Sequence, residues 1–152
     1  KFKIITLRPF NIYGPGQVGE GAIANFIDQA LKNKPLLVTN KGLAKRAWCF
    51  IDDFTDVVEL IIRNYTKIKF ENYFQYFNIG NPETLINTKS LAKKIIKLSK
   101  SKSKIKFVKH IGTDINFRSP NIVKLIKILK TKPKISLDDG IKQTVKWRKN
   151  II

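Results

Sequence analysis

The sequence predicts an α/β fold, and three observations carry that expectation. Short β-rich runs and amphipathic helical stretches alternate from one end of the chain to the other. Turn residues gather between these runs, as at Gly14-Pro15-Gly16 and Gly80-Asn81-Pro82. With 43% hydrophobic and 11% aromatic residues in 152, the chain has enough apolar material for one ordinary core. No internal repeat or long linker interrupts the pattern, so the reading is one α/β unit and not two domains.

The elements follow in order. Lys3 to Leu7 is β-rich and leads into a turn at Arg8-Pro9-Phe10-Asn11. A glycine-rich loop from Gly14 to Gly21 precedes a helix over about 22–32, where Ile23, Phe26, Ile27 and Ala30 recur at helical spacing. Leu36 to Val38 is a strand after Pro35, Thr39 to Gly42 a turn, and Trp48 to Ile51 a second strand. Asp52 or Asp53 is placed to cap a helix through about Asn64, burying Phe54, Val57, Val58, Ile61 and Ile62. In the second half, Tyr73 to Ile79 reads as a strand, and a helix capped by Asn87 or Thr88 covers about 89–99. Ile105 to Val108 is the next strand and Asn121 to Lys130 the next helix. Ser136-Leu137-Asp138-Asp139 resembles a capping box opening the last helix.

The formal net charge of +19 raises nucleic acid or an anionic surface as a partner. Most of the excess is lysine on the polar sides of predicted helices, such as Lys89, Lys93, Lys94 and Lys97 around Leu91, Ile95 and Leu98. Arginine, the better bidentate phosphate ligand, is confined to Arg8, Arg46, Arg63, Arg118 and Arg148. A solvated surface is the favoured origin of the charge, which makes nucleic acid an unlikely partner. A single cysteine, Cys49, precludes an internal disulfide and fits a reducing, cytoplasmic setting. No apolar run is long enough to span a bilayer, and no signal-peptide core opens the chain.

Several motifs imitate chemistry. Gly14-x-Gly16-x-x-Gly19 looks like a dinucleotide-binding loop, but Thr39 and Asn40 stand where a ribose-binding acid is needed about twenty positions on. Pro15 also removes a backbone donor, so a flexible connector is the better reading. Tyr65-x-x-x-Lys69 has the spacing of a catalytic pair but falls where a helix ends. Asp52-Asp53 reads as a helix N-terminus, Cys49 as core, and His110 as a loop or strand-end residue. Cys and His show no metal-ligand spacing, so no metal site is expected. Arg46, on the same side of an extended run as Trp48 and Phe50, could grip a diphosphate or form a surface ion pair. Arg118, before Ser119-Pro120, stands in a similar position.

Five segments in order carry a resemblance. They are Arg8-Pro9-Phe10-Asn11-Ile12-Tyr13-Gly14-Pro15-Gly16, the helix from Ala24 to Leu31 with the strand after Pro35, and the run Arg46 to Asp56. Phe77-Asn78-Ile79-Gly80-Asn81-Pro82 and Ser136 to Thr144 complete the series. Together they resemble the extended short-chain dehydrogenase/reductase family of NAD-dependent nucleotide-sugar epimerases, dehydratases and decarboxylases, in its C-terminal half. The resemblance implies the end of a Rossmann-type parallel sheet plus a smaller mixed α/β substrate-binding domain, with residues 1–20 including the end of the Rossmann part. It implies that Pro9 and Phe10 lie near the nicotinamide of NAD and that Asn11 contacts the sugar nucleotide. Leu36, Val38 and Thr39 would line the base pocket, largely through backbone, and Arg46 and Arg118 would hold the diphosphate or ribose. The family's glycine loop and catalytic tyrosine–lysine pair have no counterpart in this chain, so no catalytic residue is expected here. The implied partner is a UDP- or dTDP-linked sugar, with homodimerisation possible in a full-length protein. The alternatives are a polyanion-binding module and a non-catalytic nucleotide-sugar-binding protein.

Overall fold

A computed structural model describes residues 2–109 and 115–151. It contains β1 (Ile4–Pro9), β2 (Ile12–Tyr13), α1 (Ala22–Leu31), β3 (Leu36–Thr39), β4 (Lys45–Arg46), β5 (Cys49–Phe50) and α2 (Ile51–Arg63). The second half adds β6 (Phe74–Ile79), β7 (Ile86–Asn87), α3 (Thr88–Ser99), β8 (Ile105–Val108), β9 (Phe117–Arg118), α4 (Val123–Leu129) and α5 (Leu137–Lys149). The α/β expectation holds, and parallel pairing dominates.

β1 pairs in parallel with β6, from Ile4 opposite Phe74 to Pro9 opposite Ile79. The strand runs two residues further than the sequence suggested, through Arg8 and Pro9. Proline is tolerated because the N–H groups of Ile4 and Phe10 reach β6, so the alternation puts Pro9 on the set that faces away from it. β2 pairs with β5 and β3 with β8, both parallel. The remaining sheet is a ribbon in the order β7–β4–β9, antiparallel on one side of β4 and parallel on the other.

Two apolar clusters form. In the first, α1, α3 and α5 pack over Leu36 and Val38 of β3 and enclose Tyr13, Trp48 and Phe50. In the second, Val57 and Ile61 of α2 and Leu125 and Leu129 of α4 cover Phe77 and Ile79 of β6. The apolar residues are thus divided between two clusters. Segment 47–50, buried throughout, runs from the β4 ribbon into α2.

Local signals explain most boundaries. Asn87 caps α3 by accepting from Ser90 N at 2.7 Å, and Ser136 caps α5 by accepting from Asp139 N at 3.1 Å. The helix after β5 differs from expectation: Phe50 is its N-cap, and Asp52 and Asp53 lie in its first turn. Its buried face is also narrower, because Ile62 is 69% exposed. Gly14, Gly16 and Gly19 all take positive φ, as a flexible connector requires.

Gly140 is a closer constraint. A Cβ there would collide with Tyr13 Oη and lie 2.8 Å from the Phe50 ring. Tyr13 is buried and donates to Leu137 O at 3.4 Å, so the missing side chain is what lets α5 close over the tyrosine. Gly140→Ala is expected to destabilise the protein by about 1–3 kcal/mol through overpacking, measured by urea denaturation. Adding Tyr13→Phe, which removes the colliding oxygen, is expected to recover part of that loss.

Candidate functional site

The site is built around Ala47, a residue with no polar side chain. Its N–H donates to Arg118 O at 3.0 Å, and its carbonyl accepts from Asn11 Nδ2 at 2.7 Å. Two backbone groups of one residue therefore bring Asn11, Arg46 and Arg118 to one place. Arg46 and Arg118 are register partners on adjacent parallel strands, so their side chains leave the same face of the ribbon about 5 Å apart at the backbone. The Arg46 guanidinium is oriented by Nη1 donating to Ile115 O at 2.6 Å.

Asn11 occupies the left-handed region at φ 45°, which asparagine tolerates better than most residues. Its carbonyl accepts from Cys49 N at 3.2 Å, so it braces the buried segment at two points. Pro9 and Phe10 lie just upstream, at the carboxyl end of parallel β1. Crevices outside such strand ends are the usual ligand sites of open α/β sheets. Gly80 lets this corner close: a Cβ there would come within 2.8 Å of both Phe10 and Pro120.

The other expected residues are placed elsewhere. The Leu36 and Val38 side chains are fully buried in the first core, so neither can line a pocket with its side chain. Accessible surface on this strand is confined to Leu37 and Thr39, and Leu36 N is already committed to Lys104 O at 2.9 Å. Thr39, half-buried, ends the strand.

The expected alternation of Arg46 with Trp48 and Phe50 does not hold. β4 and β5 belong to different sheets, and residues 47–50 are buried on both sides while Arg46 remains partly exposed. Trp48 instead packs edge-on to Tyr13, with ring centroids 6.5 Å apart.

The imitation motifs resolve on geometry. Added Cβ atoms at Gly16 and Gly19 would meet nothing within 4 Å, so neither glycine serves a close backbone approach within this chain. Tyr65 sits in a single 3₁₀ turn, Tyr65–Lys67, and packs edge-on to Phe70 at 5.6 Å, so Lys69 is not one helical turn away. His110 lies outside the described residues. Among the described residues, no group of His, Cys, Asp or Glu could hold a metal ion.

Two long-range roles, of Asp53 and of Thr84, were not read from the sequence. The buried Asp53 carboxylate accepts from Lys134 N at 2.8 Å and Ile135 N at 3.0 Å, clamping α2 to the approach of α5. The buried Thr84 hydroxyl accepts from Trp48 N at 2.8 Å. Both partners are distant in sequence, and nothing local distinguishes these side chains. A cavity of about 380 Å³ lies beyond Thr84, lined by Asn81, Ile135, Leu137 and the Lys94–Asp138 pair, and contains none of the expected residues.

Comparison with known proteins decides the lineage. The NAD dependent epimerase/dehydratase family matches residues 1–80, just over half the chain. The protein belongs to this family. A UDP-glucuronic acid decarboxylase 3 of Arabidopsis thaliana is 32% identical, the match covering 91% of this chain and 39% of that protein. A dTDP-D-glucose 4,6-dehydratase of Mus musculus is 31% identical, covering 99% of this chain and 42% of that protein. Among solved structures, Pal from Bacillus thuringiensis superposes with a TM-score of 0.85 at 31% identity, covering 99% of this chain and 47% of that one. The UDP-glucuronic acid 4-epimerase of Bacillus cereus, solved with UDP-glucuronic acid and NAD, also gives 0.85, at 25% identity over 97% of this chain and 46% of that one. The chain thus spans about two-fifths of these curated relatives and just under half of the solved ones. The Rossmann-type fold expected from sequence is the fold of these neighbours.

Cys49 is core in this epimerase-family chain, as expected. Burial, with the Asp53 carboxylate nearby, pushes its thiol from an ordinary value of 9.0 up to about 12. At pH 8 only about one thiol in ten thousand is then ionised. Disulfide-exchange reagents are expected to leave the folded protein unlabelled at pH 8 and to label one thiol once it is unfolded. Because folding raises this pKa, the thiol's contribution to stability is intact below pH 9 and is lost as pH rises toward 12.

Proposed function

We propose that this chain is the substrate-binding portion of an NAD-dependent nucleotide-sugar epimerase, dehydratase or decarboxylase. In this reading residues 1–20 include the end of the cofactor-binding sheet, and the remainder grips a UDP- or dTDP-linked sugar. The observation that carries it is the Arg46–Arg118 register pair. Two guanidinium-bearing residues side by side on neighbouring strands concentrate positive charge at one face of the ribbon. A diphosphate offers the charge and the oxygens for several charge-assisted hydrogen bonds.

NAD, when bound, supplies reversible acceptance of hydride from a sugar carbon. This chain's share of that work is placement. Pro9 and Phe10 offer an apolar wall at the strand end where the nicotinamide would lie. Asn11 has one amide hydrogen committed to Ala47 O, which leaves its side-chain oxygen to accept from a sugar hydroxyl. Leu36 to Thr39 would line the base pocket, largely through main-chain groups. Binding energy from the diphosphate, remote from the reacting carbon, then orients the sugar ring. With no tyrosine–lysine pair in helical register, the chain alone supplies binding without turnover.

Titration of the chain with UDP is expected to give saturable binding that Arg46→Ala or Arg118→Ala weakens by at least about tenfold, the equivalent of one charge-assisted hydrogen bond. Steep salt-dependent DNA binding that ignores Arg46→Ala would instead favour the polyanion reading. Addition of a UDP-sugar and NAD to the chain alone is expected to give no steady product formation; sustained turnover would overturn the division of labour.

A further inference from the structure

The arginine that matters is held by a segment with almost no regular structure. β4 is two residues long, and the chain leaves it at Ala47 to cross into the first core. Ala47, Trp48 and Cys49 are all buried, so their backbone polar groups cannot turn to water. Ala47 N is satisfied by Arg118 O, Ala47 O by Asn11 Nδ2, and Cys49 N by Asn11 O. Cys49 pairs with β2 as a strand, whereas Trp48, outside any strand, needs other partners for its backbone N–H and C=O.

Thr84 reaches both. Its Oγ1 accepts from Trp48 N at 2.8 Å and lies 2.7 Å from Trp48 O, with Asn81 O as a second acceptor for its one proton at 2.8 Å. The hydroxyl thereby does what a neighbouring strand would do, with a single atom. It is held there by the 3₁₀ turn Pro82–Thr84 at the end of β6, whose cap is the Asn81 side chain accepting from Glu83 N at 3.0 Å. The turn is itself tied to the approach of α5 through Asn81 Nδ2 donating to Ile135 O at 3.4 Å.

We propose that Thr84 is a positioning residue for nucleotide binding: its hydroxyl fixes the Trp48 backbone and, through it, the place of Arg46 beside Arg118. This rests on the nucleotide reading of the arginine pair but makes a separate claim about what holds the pair in place. A fully aliphatic isostere would leave Trp48 N–H buried without a partner, and the segment would shift to find one. Serine keeps the oxygen and loses only a methyl.

The test compares Thr84→Val and Thr84→Ser in the whole chain by two readouts. Amide hydrogen exchange at residues 47–49 is expected to speed up at least about tenfold in Thr84→Val relative to amides of α3 and β6 in the same molecule, and to return toward wild type in Thr84→Ser. UDP affinity is expected to fall about tenfold in Thr84→Val and to recover in Thr84→Ser. Unchanged local exchange in Thr84→Val would overturn the clamp. Faster exchange with unchanged UDP affinity would overturn its role in positioning Arg46. If the wild-type chain fails to bind UDP at all, the nucleotide reading falls and takes the positioning role with it, while the exchange data still decide whether Thr84 holds the segment.

Discussion

The constraint on which the rest of the structure depends is the burial of four consecutive residues, Ala47 to Phe50, between two apolar cores. A buried backbone must have its donors and acceptors satisfied. Only Cys49 and Phe50 pair as a strand, and only over two residues with β2. Side chains and strand ends from elsewhere in the chain therefore converge on this stretch: Asn11 from the β1–β2 turn, Arg118 from β9, Thr84 from the end of β6. The candidate binding residues are near one another because they, or their neighbours, perform this service. The hydrogen bonds that satisfy this buried stretch are also the ones that bring the candidate residues together.

The ties between helices have a different character. Arg148 forks onto Asp28 with contacts of 2.5 and 2.6 Å, joining α5 to α1, and both side chains are mostly shielded. Lys94 to Asp138 joins α3 to α5 but is more open, and Glu59–Arg63 is exposed and contributes little. The Asp53 clamp is of another order, since removing a buried carboxylate that accepts from two backbone N–H groups leaves both donors without a partner. The lysine excess is largely outside this economy. Lys89, Lys93 and Lys97 are exposed on α3, in keeping with a solvated face. Lys124 lies over the Tyr76 ring at 3.7 Å, with Arg8 4.4 Å from the same ring.

Local pattern made much of the fold legible. The apolar spacing of Ile23, Phe26, Ile27 and Ala30, and the caps at Asn87 and Ser136, are short-range signals and appear in the structure where the sequence put them. The short strands β2, β7 and β9 were not legible, because two-residue strands carry no periodicity and exist only through partners far along the chain. The same distance hid Thr84 and Asp53, whose bonds span 36 and 81 residues. Arg46 and Arg118 could be singled out by residue type and motif, yet their adjacency is a property of register that no local spacing contains. The alternation argument for Arg46 failed for a related reason: it assumed one strand where the chain changes sheets between β4 and β5.

That change of sheets separates two tasks that a continuous strand would couple. Had residues 45–50 formed one regular strand, Arg46 would have shared a face with Trp48 and Phe50, and its charge would have pointed into the apolar core. Breaking the strand at Ala47 lets the aromatic side chains enter the first core while the guanidinium stays at a half-exposed surface beside Arg118. The break leaves backbone groups without ladder partners, and side-chain oxygens and amides must supply them. A regular strand would have needed no such help and could have tolerated many side chains at positions 11 and 84. The irregular path makes both positions chemically demanding, because each must present a hydrogen-bonding atom to one particular stretch of buried backbone. Placement of the paired arginines is thus bound to a local departure from regular structure, and in the proposed reading the residues that repair that departure serve the site without having to touch a ligand.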